Sequence, residues 1–204
     1  MKIAIGCDHG GYELKTKIVK YLEDHGYRYS DFGCSSSTKS VDYPDIAFPV
    51  AEAVASGKYD RGILVCGTGI GVSICANRVK GVRCALCSDP VSAELTRKHN
   101  DSNVLALGGR IIGSKVAEAI VSKWLSTEFE GGRHERRLTK IAGYTPGSYS
   151  GPDSSSGGFG SHGGSHSSGS SHHSIHSSSG LHGSRSGAHS HHSGGSGHDG
   201  SSSK

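Results

Sequence analysis

Apolar and polar positions follow two alternating periods along the first two thirds of the chain. Short, continuously apolar runs such as KIAIG, GILVC and NVLALG predict buried strands. Between them apolar residues recur at helical spacing, as with Leu14, Ile18 and Leu22 before Gly26 ends the helix. The predicted strands span 2–6, 27–32, 62–66, 82–87 and 103–108, and the predicted helices span 12–26, 46–55, 71–81, 90–100 and 114–129.

Apolar strands that alternate with helices indicate a parallel sheet, because a crossover helix joins each pair of parallel strands. We therefore predict a doubly wound, Rossmann-like α/β domain, with a five-stranded parallel sheet and helices on both faces. Ligands of such sheets bind beyond the carboxyl ends of the strands. Three strands run into CDHGG, CGTGIG and GGRIIG, and the fourth helix ends in HND. We expect these four segments at one ligand-binding edge.

Residue usage changes abruptly near Gly147. Residues 1–146 contain the apolar runs, charges of both signs and all six cysteines, whereas residues 147–204 are mostly Ser and Gly with ten histidines. The second composition cannot offset the entropy of an ordered chain. We therefore predict one folded domain over 1–146 and a disordered tail over 147–204. The irregular spacing of the tail histidines fixes no metal geometry, so no metal site is predicted.

The formal net charge of +4 is spread thinly, with no basic run interleaved with aromatic residues. Neither a nucleic acid nor a membrane surface is therefore a predicted partner. The chain passes from Met1 directly into an apolar strand, and no apolar stretch approaches membrane-spanning length. These features predict a soluble protein of the cytoplasm.

The cysteines lie inside apolar, strand-like runs, as reduced thiols do. Cys84 and Cys87 form a C-x-x-C sequence, but within a strand a separation of three residues points the two side chains to opposite faces. Neither a redox nor a metal-binding role is predicted for that pair. This use of cysteine also favours a reducing compartment.

The loop after the third strand places Cys66 at a strand end and glycines at 67, 69 and 71 before a helix. The N–H groups of a helix N-terminus favour a thiolate and suit a developing oxyanion. Dinucleotide and cysteine-phosphatase patterns fail because Val72 stands where Gly or Arg is needed, and the phosphate-loop lysine is missing. A tight turn around a buried cysteine, without chemistry, is the alternative interpretation.

Two histidines stand at the expected ligand edge, each with a carboxylate close in sequence. His9 follows Asp8, and His99 precedes Asp101 by two residues. Imidazole suits proton transfer near neutral pH, and a purely structural histidine is the alternative for each.

A basic segment, GGRHERR, follows the last predicted helix. Arg133 and Arg137 are one helical turn apart, so both can point the same way, while Arg136 points elsewhere. Paired guanidinium groups suit a phosphate, and the segment can reach a neighbouring subunit. A solvated basic helix face is the alternative.

Five motifs together resemble the type B ribose-5-phosphate isomerases over about residues 1–145. They are CDHGG at 7–11, DYPD at 42–45, CGTGIGVSICANR at 66–78, HND at 99–101 followed by NVLALGGR, and EGGRHERR at 130–137. The resemblance implies an aldose–ketose isomerase of the pentose phosphate pathway, interconverting D-ribose 5-phosphate and D-ribulose 5-phosphate through an enediolate. It also implies no metal or cofactor, and a homodimer with each site shared across the subunit interface.

The resemblance further implies a role for each matched residue. Cys66 would be the base that moves a proton between C1 and C2, and Thr68 would help to steer it. His99, with Asp8 nearby, would open the sugar ring, and Asn100 with the amides of residues 67–71 would stabilise the enediolate. The implied substrate-binding residues are His9, Tyr43, Gly67, Gly69, Ile70, Gly71, Arg110, Arg133 and Arg137, with Arg133 and Arg137 coming from the partner chain.

The resemblance indicates the base but leaves the sugar and the presence of activity open. A second branch of the family has glutamate as the base at the place matched here by Val72, which leaves Cys66 as the only available base. Relatives also act on six-carbon sugar phosphates such as allose or galactose 6-phosphate, and pocket shape decides between the sugars. A phosphosugar-binding protein that has lost activity is the alternative from another class.

Overall fold

The computed structural model describes residues 1–148, which form a parallel sheet with helices on both faces. The strands are Lys2–Cys7 (β1), Arg28–Asp31 (β2), Arg61–Cys66 (β3), Cys84–Leu86 (β4) and Val104–Gly108 (β5). The helices are Tyr12–Asp24 (α1), Tyr43–Ala55 (α2), Ile70–Ala76 (α3), Pro90–Asn100 (α4), Ser114–Ser126 (α5) and Arg133–Ala142 (α6), with a 3₁₀ turn at His9–Gly11. The predicted fold class is confirmed.

The sheet has the strand order β2-β1-β3-β5-β4, and every pair is parallel. From β1 the chain moves outward to β2 and then returns to the other side of β1 with β3. The loops after β1 and β3 therefore diverge at a topological switch point, where doubly wound sheets bind their ligands. The strand β5 lies next to β3, so the loop after β5 reaches the same crevice.

Alternate side chains of each strand enter two separate hydrophobic layers. In β3, Ile63 and Val65 pack in the layer that includes α1 and α5, whereas Leu64 and Cys66 pack in the layer that includes α2 and α3. Both layers are fully buried at the sheet, which explains why these strands are continuously apolar rather than alternating. This two-residue period places the Cys66 side chain on the face covered by α2 and α3.

Several helix boundaries differ from the prediction, most of all the end of α3. The helix α2 begins at Tyr43 rather than residue 46, with Asp42 as N-cap and a proline in its first turn. The helix α3 ends at Ala76 rather than residue 81. There the side chain of Asn77 donates to the Cys84 carbonyl oxygen at 2.9 Å and accepts the Cys84 N–H at 2.8 Å. This pairing with β4 replaces a further helical turn.

The predicted tail of residues 147–204 lies outside the described residues, except for Gly147 and Ser148. The division into a folded domain and a tail therefore stays a prediction. Within residues 1–148, the helices are too short or too polar to cross a lipid bilayer.

Candidate active site

The loops after β1, β3 and β5 are in direct contact. A Cβ at Gly11 would lie 2.5 Å from the Val65 carbonyl oxygen, and a Cβ at Gly109 would lie 2.9 Å from the Gly10 carbonyl oxygen. The Arg110 N–H donates to the Gly67 carbonyl oxygen at 2.9 Å. Glycine is thus required because backbone meets backbone, and the three loops form one rigid unit.

Cys66 lies at the centre of this unit, with 4% of its surface exposed. Its Sγ accepts the backbone N–H of Gly69 at 3.0 Å. Gly69 has a φ of 78°, a left-handed conformation that turns its N–H back toward the sulfur. The Ile70 N–H similarly donates to the Thr68 hydroxyl at 3.3 Å. The loop therefore holds the sulfur in place by a donated N–H group.

Tyr43 and Arg110 flank the cysteine loop on two sides. A Cβ at Gly71 would lie 2.9 Å from the Tyr43 ring, so the aromatic ring rests directly on that glycine. The Arg110 side chain lies along Gly67, and its Nη2 would be 3.4 Å from a Cβ at Gly10. The guanidinium group is thereby brought beside the loop that carries His9.

His9 is oriented by the backbone. Its Nδ1 accepts the Val41 N–H at 3.3 Å, which assigns the ring hydrogen of the neutral imidazole to Nε2. Asp8 is buried, and its carboxylate accepts the Gly11 N–H at 2.9 Å as the cap of the 3₁₀ turn. Asp8 therefore shapes the loop. We call the residues gathered here the carboxyl-edge cluster: Asp8, His9, Tyr43, Cys66, Gly67, Thr68, Gly69, Ile70, Gly71 and Arg110.

The expectation that HND lies at the same edge was wrong. A helix that follows a parallel strand runs back along the sheet, so α4 ends at the amino ends of the strands. Arg83, which precedes β4, donates to the carbonyl oxygens of Asn100 at 3.0 Å and Asp101 at 2.9 Å. The intervening strand length, Val104 to Gly108, is about 13 Å. Within one chain, His99 and Asn100 are therefore remote from Cys66.

Asp101 does not orient His99, although the sequence placed the two close together. Its carboxylate makes ion pairs of 2.7 Å with Arg83 and with Arg97, and its φ of 43° ends α4 in the left-handed conformation. Arg97 is almost fully buried and also donates to the Ser102 carbonyl oxygen at 2.7 Å. The aspartate thus anchors the end of the helix that carries His99.

The helix α6 packs beside the end of α4. The Glu130 N–H donates to the Lys98 carbonyl oxygen at 3.1 Å, and the imidazole rings of His99 and His134 stack with centroids 4.3 Å apart. The Arg133 Nε donates to His134 Nε2 at 3.3 Å. We call this group the amino-edge cluster: His99, Asn100, Glu130, Arg133, His134 and Arg137.

Burial lowers the pKa of His134, and the neighbouring His99 and the guanidinium groups of Arg133 and Arg137 lower it further. Both arginines therefore lie close enough to His134 for their charges to act on it. Sequence reasoning assigned no role to Glu130 or His134. Their only signal was their place within EGGRHERR.

The other cysteines are poor candidates for the base. Burial raises the pKa of Cys7 to about 12, that of Cys84 to about 12 and that of Cys87 to about 11. Burial also raises the pKa of Cys75, as does its neighbour Cys66. Cys84 and Cys87 pack in opposite layers of the core, as predicted from their spacing.

The fold and the carboxyl-edge cluster define a class: a doubly wound α/β protein with a small-molecule site at its switch point. The sequence model of the Ribose/Galactose Isomerase family matches residues 3–141. The chain belongs to this family and is a sugar-phosphate isomerase. The resemblance found in the motifs is thereby confirmed.

The matches to individual relatives extend over nearly the whole length of those relatives. Ribose-5-phosphate isomerase B of Escherichia coli is 51% identical over 140 residues, 69% of this chain and 93% of the relative. The structure of Clostridium thermocellum ribose-5-phosphate isomerase B is 54% identical with a TM-score of 0.68, over 70% of this chain and 95% of that chain. The Mycoplasma genitalium ribose-5-phosphate isomerase B, solved with bound ribulose-5-phosphate, is 42% identical with a TM-score of 0.67. That match covers 69% of this chain and 93% of that chain.

Proposed function

We propose that this protein interconverts D-ribose 5-phosphate and D-ribulose 5-phosphate through an enediolate, with Cys66 as the base. The observation that carries the proposal is the Cys66 Sγ held at 3.0 Å by the Gly69 N–H, at the switch point of the sheet. The relative solved with bound ribulose-5-phosphate supports the same substrate. The isomerisation belongs to the pentose phosphate pathway.

In this mechanism the Cys66 thiolate takes the proton from C2 of the aldose and returns it to C1, while the proton of the C2 hydroxyl passes to the C1 oxygen, so atoms and charge balance. Thr68 lies in the same loop and steers the transfer. Asn100 stabilises the negative charge of the enediolate. The amides of the 67–71 loop that are not bonded to Cys66 or Thr68 do the same. Tyr43, resting on Gly71, forms a wall of the sugar pocket.

The phosphate is held by His9 and Arg110 from the carboxyl-edge cluster and by Arg133 and Arg137 from the amino-edge cluster. Such charge-assisted hydrogen bonds fix the far end of the substrate, which positions C1 and C2 at the sulfur. His99 takes the proton of the anomeric hydroxyl and delivers a proton to the ring oxygen as the bond from that oxygen to C1 breaks, which opens the ring. Asp8 contributes by holding the loop that carries His9.

The separation of the two clusters supports a homodimer with shared sites. Within one chain about 13 Å of strand lies between them, so one substrate cannot contact both. In a two-fold dimer each carboxyl-edge cluster can instead meet the amino-edge cluster of the partner. We therefore place the partner's histidine, asparagine and two arginines opposite each Cys66.

The surface beside β4 has the properties of a dimer interface. Ile70 and Ile74 project from one side of α3 and are 51% and 61% exposed, and Leu86 of the edge strand is 44% exposed. A cleft of about 500 Å³ between β4 and α6 is lined in part by Leu138 and Ile141. Exposed apolar side chains next to an edge strand favour burial against a second copy.

A cytoplasmic location is part of this proposal. All six cysteines lie within the described residues, and all are free thiols. The sulfur atoms of Cys7 and Cys34 are 3.8 Å apart. A reducing compartment keeps such neighbouring cysteines as thiols.

The test is an assay of the purified full-length chain, with a chelator present, on ribose 5-phosphate and on allose 6-phosphate. The two sugars differ by one hydroxymethyl group, so we expect a kcat/KM preference for the pentose of about 10-fold or more. A strong preference for the hexose would contradict the assigned substrate while leaving the isomerase family intact. Failure to convert either sugar would support the binding protein without activity.

A further inference from the structure

The amino-edge cluster contains three side chains whose potential metal-ligand atoms lie close together. Glu130 Oε2 lies 3.7 Å from His134 Nε2 and 4.0 Å from His99 Nε2. All three potential ligand atoms fall within 4.8 Å of one another. The two imidazoles are stacked and nearly parallel, with 9° between their planes. Among the described residues, 1–148, this is the group of His, Cys, Asp and Glu side chains that converges in this way.

These separations are close to those of a tetrahedral metal centre. Zn²⁺ binds imidazole nitrogen and carboxylate oxygen at about 2.0–2.2 Å, which places neighbouring ligands about 3.4 Å apart. The two distances to Glu130 exceed that value by about 0.3 Å and about 0.6 Å. A metal ion lies in the plane of each imidazole that binds it, so the stacked rings must turn relative to each other on binding. The side chains of His99 and Glu130 are partly exposed and have room to rotate.

The ligand set also has the right chemistry and access. Two neutral imidazoles and one carboxylate match borderline cations such as Zn²⁺, with water as the fourth ligand. The His134 Nε2 now accepts a hydrogen bond from Arg133 Nε at 3.3 Å, and metal binding must displace that donor. The charges of Arg133 and Arg137 oppose a cation, whereas Glu130 favours it. The expected site is therefore reversible rather than permanently occupied.

We propose that His99, Glu130 and His134 form a Zn²⁺ site whose occupation inhibits the enzyme. Binding withdraws the imidazole of His99 and ties α6 to the end of α4. The inhibitory consequence rests on the proposed function, in which His99 opens the sugar ring. The site itself does not, because it is defined by the three ligand atoms alone. Isomerisation proceeds without the metal.

The experiment uses the full-length chain and Co²⁺, whose visible spectrum reports tetrahedral coordination. We compare the parent protein with Glu130→Gln, which removes the ligand charge and keeps the backbone bond to Lys98. Glu128→Gln is the matched control, because it removes the same charge from an exposed position outside the cluster. The ten tail histidines are identical in all three proteins, so their contribution cancels in difference spectra.

We expect a tetrahedral Co²⁺ band in the parent and in Glu128→Gln, with binding weakened about 10–100-fold or more in Glu130→Gln. Zn²⁺ titration of the isomerase should show the same shift in the inhibitory concentration. Identical Co²⁺ spectra in the parent and Glu130→Gln would overturn the site. Equal Zn²⁺ inhibition of both would overturn the inhibitory role and indicate another target, such as the Cys66 thiolate.

These outcomes also separate the metal site from the proposed function. A parent protein that shows the Co²⁺ band but does not convert ribose 5-phosphate supports the site and contradicts the function. A parent protein that converts the sugar but shows no Glu130-dependent band contradicts the site and leaves the function standing.

Discussion

The carboxyl-edge cluster and the amino-edge cluster differ in how they are held. At the carboxyl edge, three loops meet backbone to backbone, and a Cβ at Gly11 or Gly109 would overlap a carbonyl oxygen. At the amino edge, side chains of two helices stack over a surface that is partly open. The difference indicates a division of work. In the proposed mechanism, rigid loops fix the reacting atoms, while exposed helices would present charged groups to a partner chain.

In the proposed mechanism neither cluster is a complete site by itself. The carboxyl-edge cluster contains the proposed base, Cys66, and a single arginine, Arg110. The amino-edge cluster contains Arg133 and Arg137 but no thiol. The predictions below test this division, in order of decreasing effect.

The largest effect is expected for Cys66→Ala. Removal of a general base costs about 10²–10⁴-fold in kcat, since no other described cysteine is placed to take the proton. Cys75→Ala is the matched control, because it removes a buried thiol from the same hydrophobic layer and should keep its activity. Both are measured as conversion of ribose 5-phosphate to the ketose. Parent-level turnover by Cys66→Ala would contradict the assigned mechanism.

Substitution of an arginine that is proposed to bind the phosphate should raise KM to a similar extent at the carboxyl edge and at the amino edge. Arg110→Ala and Arg137→Ala should each raise KM by about 10–100-fold, because each removes a hydrogen bond to a charged group. Arg136→Ala is the control, since this residue lies on α6 and is predicted to point away from the pair. The measurement is steady-state kinetics with varied ribose 5-phosphate. An unchanged KM for Arg137→Ala would contradict the proposal that α6 contributes to the substrate site.

A smaller effect is expected for Gly71→Ala. Its Cβ would lie 2.9 Å from the Tyr43 ring, so the ring must move by several tenths of an ångström. We expect kcat/KM to fall about 10-fold, since small displacements of positioning groups are costly. Gly113→Ala is the control, because a Cβ there meets no atom within 4 Å. Equal activity of the two variants would contradict the proposal that Tyr43 forms a wall of the sugar pocket.

The smallest effect is expected for truncation after residue 146. The Escherichia coli relative is matched over 93% of its length by 140 residues of this chain. Removal of the segment beyond Pro146 should change kcat/KM by no more than about twofold. A collapse of activity in the shortened chain would contradict the predicted division at residues 146 and 147.

Much of the fold was predictable because strand burial imposes a clear pattern. Continuous apolar runs predicted β1, β3 and β5, and their alternation with helices predicted the parallel sheet, while β2 was expected only as a short candidate at 27–32. The lateral order was not predictable, since nothing in the apolar pattern places β5 between β3 and β4. The end of α3 was also missed, because it depends on Asn77 pairing with Cys84 across the fold.

The candidate site was predictable only where residues follow strands. Cys66 and Arg110 both follow strands, and both were correctly expected at the carboxyl edge. His99 was misplaced because the end of a helix was grouped with the ends of strands. Its stacking on His134 depends on how α6 returns to α4, which no local pattern encodes.

The most direct test of the shared site is coexpression of Cys66→Ala with the double variant Arg133→Ala, Arg137→Ala. In a mixed dimer one site carries every defect and the other is intact. With random pairing we predict about a quarter of the parent kcat/KM from two impaired chains. The control mixes Cys66→Ala with Arg110→Ala, two changes in one cluster, and should show no more activity than the average of its two chains measured separately. Activity of the first mixture no greater than that of its separate chains would contradict the shared site.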